Sequence, residues 1–142
     1  MTHNKCFVCS TNNDFGLKAK FITDTLKHKS YCKIIIPYNF QGWDKYVHGG
    51  IIASLLDDCI VYACKASGFD CLTAELTIKY KKPVFINEEI KLEGEIIEIK
   101  KNKLLLAKSK LEINGNILAE AKAKMFVINK LGEIDEYTET IK

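Results

Sequence analysis

The chain has 142 residues, 47% hydrophobic and 27% charged, enough for a single domain that buries about two-thirds of its unfolded surface. Its formal net charge is only +3, all 21 basic residues are lysine, and no basic stripe with interleaved aromatics stands out, which argues against nucleic acid as a partner. Met1 to Lys5 lack the apolar core of a signal peptide, no apolar run is long enough to span a bilayer, and the six cysteines sit in a chain too large to need disulfides; a cytoplasmic protein without membrane contact is expected.

Phe15, Leu17, Ala19, Phe21 and Thr23 alternate with Lys18 and Lys20, so residues 15–24 read as a strand. Residues 30–36 read as a second, ending before Pro37. After a loop from 38 to 47, an apolar helix is expected from Gly49 to Ser67, stopped by Gly68. Next comes an alternating strand with Leu72, Ala74, Leu76, Ile78 and Tyr80 on one face and Thr73, Glu75, Thr77 and Lys79 on the other. In residues 89–100 the inward set Ile90, Leu92, Ile96 changes phase to Ile97 and Ile99, with Gly94 just before the switch, the pattern of a β-bulge. Residues 104–113 form a further strand, Asn114-Gly115 is a hairpin signal, and the last strand sets Ile117, Ala119, Ala121, Ala123, Met125 and Val127 against Glu120, Lys122 and Lys124.

Small alanines on an inner face leave room for a thick element, and the apolar helix is the candidate. The expected class is α+β: a curved antiparallel sheet wrapped around one long central helix. One domain spans residues 1–142, with its core at about 6–128 and a surface tail at 129–142. The helix itself carries an anomaly. From Ile51 to Ala66 it is apolar nearly all round, yet Asp57 and Asp58 sit in its middle. Ionised carboxylates there are costly unless paired, hydrogen-bonded or shifted in pKa, and catalysis is one reason to keep them.

The sequence resembles the hotdog-fold acyl-CoA thioesterases of the phenylacetate (PaaI-like) type over nearly all of residues 6–128. The resemblance is carried by Cys6-Phe7-Val8-Cys9 with Gly16-Leu17, by Gln41-Gly42-Trp43, by the run from His48-Gly49-Gly50 to Asp57, and by Thr73-Ala74-Glu75-Leu76 through Tyr80 to Pro83. It implies that Asp57 is the catalytic carboxylate. It also implies a homodimer, or a dimer of dimers, whose sheets join edge to edge with two active sites at the interface. Thr73 matches a Ser or Thr that helps place the nucleophilic water. Relatives often carry an Asn six residues before the His; here that position is Gly42, and Gln41 is the possible substitute.

Thioester hydrolysis needs an activated nucleophile and a donor for the developing oxyanion. Gly49 and Gly50 at a helix start offer backbone N–H groups, no Cβ to block approach, and the positive end of the macrodipole. Asp57 lies seven residues after Gly50, about 10 Å along the helix, too far for one subunit's turn and acid to share a carbonyl. Asp57 acts either as base or as nucleophile; Asp58, about 100° round the helix, is expected to be structural. His48 either polarises the carbonyl or holds the turn, and Trp43 either walls the acyl pocket or anchors its loop. CoA phosphates have Lys79, Lys81 and Lys82, or Lys100, Lys101 and Lys103, within reach by sequence, with Lys81 and Lys82 carried as substrate contacts. His3, Cys6 and Cys9 have a metal-like spacing, but a closed zinc site wants four ligands and only His28 and Cys32 lie near; no metal and no cofactor is expected. The expected function is hydrolysis of a small aromatic or short- to medium-chain acyl-CoA. The alternative is a non-catalytic acyl-CoA or acyl-ligand binding module on the same fold.

Overall fold

The computed structural model describes residues 4–131 and 139–141. Strands β1 (Ile22–Asp24) and β2 (Lys29–Ile35) are followed by a single 3-10 turn at Tyr38–Phe40 and the helix α1 (Gly49–Ala66). Then come β3 (Phe69–Tyr80), β4 (Glu89–Lys100), β5 (Leu104–Ile113), β6 (Asn116–Lys130) and β7 (Glu139–Ile141). The strand order is β3-β6-β5-β4-β2-β1-β7, antiparallel throughout except where β7 runs parallel to β1. A single long helix packed against a curved antiparallel sheet is the hotdog fold, in agreement with the α+β expectation.

The sheet holds α1 closely because its facing side chains are short. Ala107, Ala119, Ala121 and Ala123 are buried against Leu55, Leu56, Cys59 and Ile60, which are fully buried. Ser109 and Ser30 donate to the helix carbonyls of Leu56 (2.9 Å) and Cys59 (2.6 Å), pinning sheet to helix by side chain-to-backbone bonds. Gly94 serves the same closeness. A Cβ there would lie 2.6 Å from the Ser30 Oγ and 2.7 Å from the Cys59 carbonyl oxygen. The β4 bulge falls two residues later, between Ile96 and Glu98. It leaves Ile97 54% exposed rather than inward, while Ile99 turns toward the core.

Three expectations need correction. Residues 15–21 are not paired as a strand; only Ile22–Asp24 is. The period-two burial of Leu17, Ala19 and Phe21 is real, but its backbone bonds go to the N-terminal loop (Leu17 N–H to Phe7 O, Ala19 N–H to Val8 O, both 2.7 Å). The stretch from 129 is not all tail, since β6 continues to Lys130 and Glu139–Ile141 pairs with β1.

The third concerns β3. A register shift between Thr73 and Glu75 inserts Ala74 as an extra residue, so the faces swap at that point. Before it, Thr73 lies opposite the buried Met125 on the helix side, while Leu72 pairs with Phe126 on the outside, both more than half exposed. After it, Leu76, Ile78 and Tyr80 take the helix side opposite Ala123, Ala121 and Ala119. No disulfide links the cysteines. No helix among the described residues is long and apolar enough to cross a membrane.

Candidate active site

The start of α1 is set by His48, the N-cap residue, whose Nδ1 accepts from the Gly50 N–H at 2.8 Å. An accepting Nδ1 is unprotonated, which assigns the neutral ring's proton to Nε2. The His48 carbonyl accepts from Ile51 (2.9 Å) and Ile52 (3.1 Å). Gly50, expected to contact substrate, therefore has its N–H committed to His48. Gly49 keeps an N–H with no partner among the described residues, at the positive end of the helix. The Tyr80 hydroxyl donates to the Gly49 carbonyl at 2.8 Å and so holds that peptide plane in place.

The turn opens into a cavity of about 410 Å³ lined by Gly42, Trp43, Tyr46, Val47, His48 and Gly49. Gly42 lies against the histidine: a Cβ there would come within 3.3 Å of the His48 Cα and Cδ2. Gln41 does not reach into the site as a substitute, because its Oε1 accepts the Lys45 N–H at 3.2 Å and closes the loop. Trp43, 85% exposed, lines the cavity rather than anchoring the loop by burial. Tyr46 stacks at a tilt on Phe85, centroids 5.0 Å apart, and fastens the loop instead.

Two turns along α1, the half-buried Asp57 accepts a 2.6 Å hydrogen bond at Oδ1 from the Thr73 hydroxyl. Burial pushes the Asp57 carboxyl above the usual carboxylate range, and the Thr73 bond pulls it part of the way back. The β3 bulge makes this contact possible by turning Thr73 toward the helix. Asp58 points elsewhere, buried beside Cys6 and Cys9. Within one chain the His48-Gly49 turn and the Asp57–Thr73 pair stay about 10 Å apart along the helix. Lys81 is paired with Glu120 at 3.2 Å, whereas Lys82 is exposed and has no ion pair among the described residues. Tyr80 is the site residue that sequence reading missed. Its inward face was legible from the alternation, but its hydrogen bond to the Gly49 carbonyl, 31 positions away, was not.

Comparison with known proteins adds an outside reference. Residues 44–106 match the family model of the thioesterase superfamily. A Streptococcus mutans protein solved bound to acetyl CoA superposes with a TM-score of 0.73 at 18% identity, covering 80% of this chain and 90% of its own. The Escherichia coli PaaI protein from the phenylacetic acid degradation operon gives 0.72 at 17% identity, over 81% and 83%. Zebrafish thioesterase superfamily member 2 gives 0.74 at 17% identity, over 88% and 91%. At these identities the likeness is one of fold.

Proposed function

We propose that the chain is a cytoplasmic acyl-CoA thioesterase. It hydrolyses a small aromatic or short- to medium-chain acyl-CoA in a homodimer or dimer of dimers. The observation that carries this reading is the Asp57–Thr73 pair: a carboxyl whose pKa burial raises, fixed by one hydroxyl, on a helix apolar nearly all round. The match of residues 44–106 to the thioesterase superfamily and the acetyl CoA held by the S. mutans neighbour support the substrate class.

Asp57 acts as the general base. The Thr73 hydroxyl gives its only proton to Asp57 and keeps lone pairs to accept from a water. A water between them donates one hydrogen to Asp57 and one to Thr73, with its own lone pair aimed outward. Asp57 removes the proton as the water oxygen attacks the thioester carbonyl carbon. The oxyanion is taken up by the Gly49 N–H of the second subunit, with His48 as an accessory group. Collapse breaks the C–S bond; the thiolate takes a proton, and the acid and CoA leave. Raising the carboxyl toward neutrality suits this work, since a base is most effective with its pKa near the working pH. Lys82 is a candidate for the CoA phosphates; its neighbour Lys81 is engaged with Glu120.

The dimer reading rests on β3. It is a 12-residue strand with one edge unpaired among the described residues, and Leu72, Tyr80 and the neighbouring Phe126 are all more than half exposed.

The test is thiol release from a panel of aromatic and aliphatic acyl-CoAs by wild type and Asp57→Asn. Turnover that falls about 100- to 10,000-fold in the variant is expected for loss of a general base. Tight acyl-CoA binding with no turnover by either protein would replace the enzyme with a binding module. Activity that survives in Asp57→Asn would move the site elsewhere.

A further inference from the structure

The second aspartate of the helix points to a different feature. Asp58 faces the N-terminal loop, and one of its carboxylate oxygens lies within 4.8 Å of the Cys6 and Cys9 sulfurs, which are equally close to each other. The loop is held firmly enough to keep the two thiols together. Ser10 Oγ donates to the Asn4 carbonyl (2.7 Å), Asn13 Nδ2 to the Lys5 carbonyl (3.1 Å), and the Ser10 N–H closes a turn on the Cys6 carbonyl (3.0 Å). Gly16 lets the returning chain press against Phe7, whose carbonyl oxygen would be 2.6 Å from any Cβ. One turn after Asp58, Tyr62 stacks on Phe21 at 4.7 Å and directs a hydrogen bond to the Cys9 sulfur.

We propose that Cys6, Cys9 and Asp58 bind one zinc-class divalent cation that staples the N-terminal loop to α1. Two thiolates with a carboxylate are a borderline-soft donor set suited to zinc and poor for magnesium or calcium. All three atoms lie within 4.8 Å of one another, near the separations of ligands on a single ion. Three protein ligands among the described residues leave a fourth tetrahedral position to a water or another ligand; His3, the remaining member of the spacing noted in the sequence, lies outside the described residues. Binding releases the two thiol protons and sets a dication against the buried Asp58 carboxylate. Tyr62, bonded to the Cys9 sulfur, orients that ligand from outside. Sequence spacing offered His28 and Cys32 to complete such a site, yet neither belongs to the cluster; the third ligand comes from the helix, 49 positions beyond Cys9. The staple is separate from the reaction centre, because Asp57 on the neighbouring helix face is engaged by Thr73.

The test uses the full chain, expressed without added metal and assayed for bound metal, then stripped and titrated with cobalt(II). About one zinc per chain and a thiolate-to-cobalt charge-transfer band are expected. Asp58→Asn is expected to weaken zinc binding at least about 10-fold, and Cys9→Ser to abolish the charge-transfer band of a two-thiolate site. No metal in the purified protein and no charge-transfer band in the reduced wild type would overturn the proposal, whether the thiols were recovered reduced or as a Cys6–Cys9 disulfide. Zinc retained equally by Cys9→Ser and Asp58→Asn would overturn it too. These readouts do not depend on thioester turnover.

Discussion

The Thr73 hydroxyl and the Asp57 carboxylate are joined by a 2.6 Å hydrogen bond that spans from the edge strand to the middle of the central helix. It is a charge-assisted bond, of the kind worth about 1.5–3 kcal/mol, and it favours the ionised acid. Burial and the hydroxyl thus act on the same carboxyl in opposite directions, and their balance sets the pH at which it can accept a proton.

Replacing Thr73 with Val keeps the β-branched shape and removes that bond. The Asp57 carboxyl then rises further, because the contact that lowers it is gone. The acid limb of the kcat/KM profile is expected to move to higher pH, with kcat down about 10-fold. A limb that stays in place while kcat falls would mean that Thr73 acts only on the water.

If turn and acid come from different subunits, two dead variants should rescue each other. Asp57→Asn and Gly49→Val are each expected to be inactive. Mixed and allowed to exchange, they should regain roughly a quarter of wild-type activity, since half of random dimers are mixed and each holds one intact site of two. No recovery after proven subunit exchange would place both groups of a site in one chain.

Tyr80→Phe deletes the hydroxyl that holds the Gly49 carbonyl. A stability loss of about 1 kcal/mol in urea is expected, together with lower kcat and little change in KM, because the residue whose N–H meets the oxyanion loses the anchor on its carbonyl side. Unchanged kcat would show that the helix start is held by His48 alone.

Lys65 and Asp70 form a 2.7 Å ion pair with both side chains 3% exposed. Burial pushes the Asp70 carboxyl up, but its hydrogen bonds and neighbouring positive charge, the Lys65 ammonium foremost, outweigh it and hold the group below the ordinary 3.8. Its stabilisation is therefore complete above that ordinary value and is lost as pH falls through the lower, folded one. Lys65→Met should cost about 3–5 kcal/mol by removing the main partner of a buried carboxylate, and Lys65→Met with Asp70→Leu should recover much of it. Urea midpoints for the two variants check both.

Gly94→Ala should destabilise the protein by about 1–3 kcal/mol through overpacking. Adding Ser30→Ala should relieve only part of the loss, because the Cys59 carbonyl remains 2.7 Å from the new methyl. Full relief would mean that the helix backbone yields at that point.

How much of this was legible in the residues depends on whether a signal is local. The hairpin at Asn114-Gly115 was, because both positions adopt the positive φ that its turn requires (50° and 82°). The helix stop at Gly68 (φ 96°) was too, as was the alanine face that admits α1. Period-two burial at Leu17, Ala19 and Phe21 was read correctly but assigned to a ladder, since alternation reports which side is covered and not what covers it. The β3 bulge left no mark, because Ala74 is as ordinary in a strand as in a bulge. Thr73, on the outward face by alternation, was named for the site only through the family resemblance, while Tyr80's reach to the Gly49 carbonyl is a long-range contact that alternation does not show. The Asp58 cluster was hidden for another reason: its members are far apart in sequence, and spacing rules see only neighbours.

The sheet ends differently on its two sides. One margin is the three-residue β7, the other the 12-residue β3. A protein with two long bare margins can add copies without limit, as fibrils do. Among the described residues, only one margin offers a long ladder of hydrogen bonds. Growth by strand addition therefore terminates once two such margins have met. The same asymmetry that leaves β3 open on one side also caps the polymer it could otherwise seed.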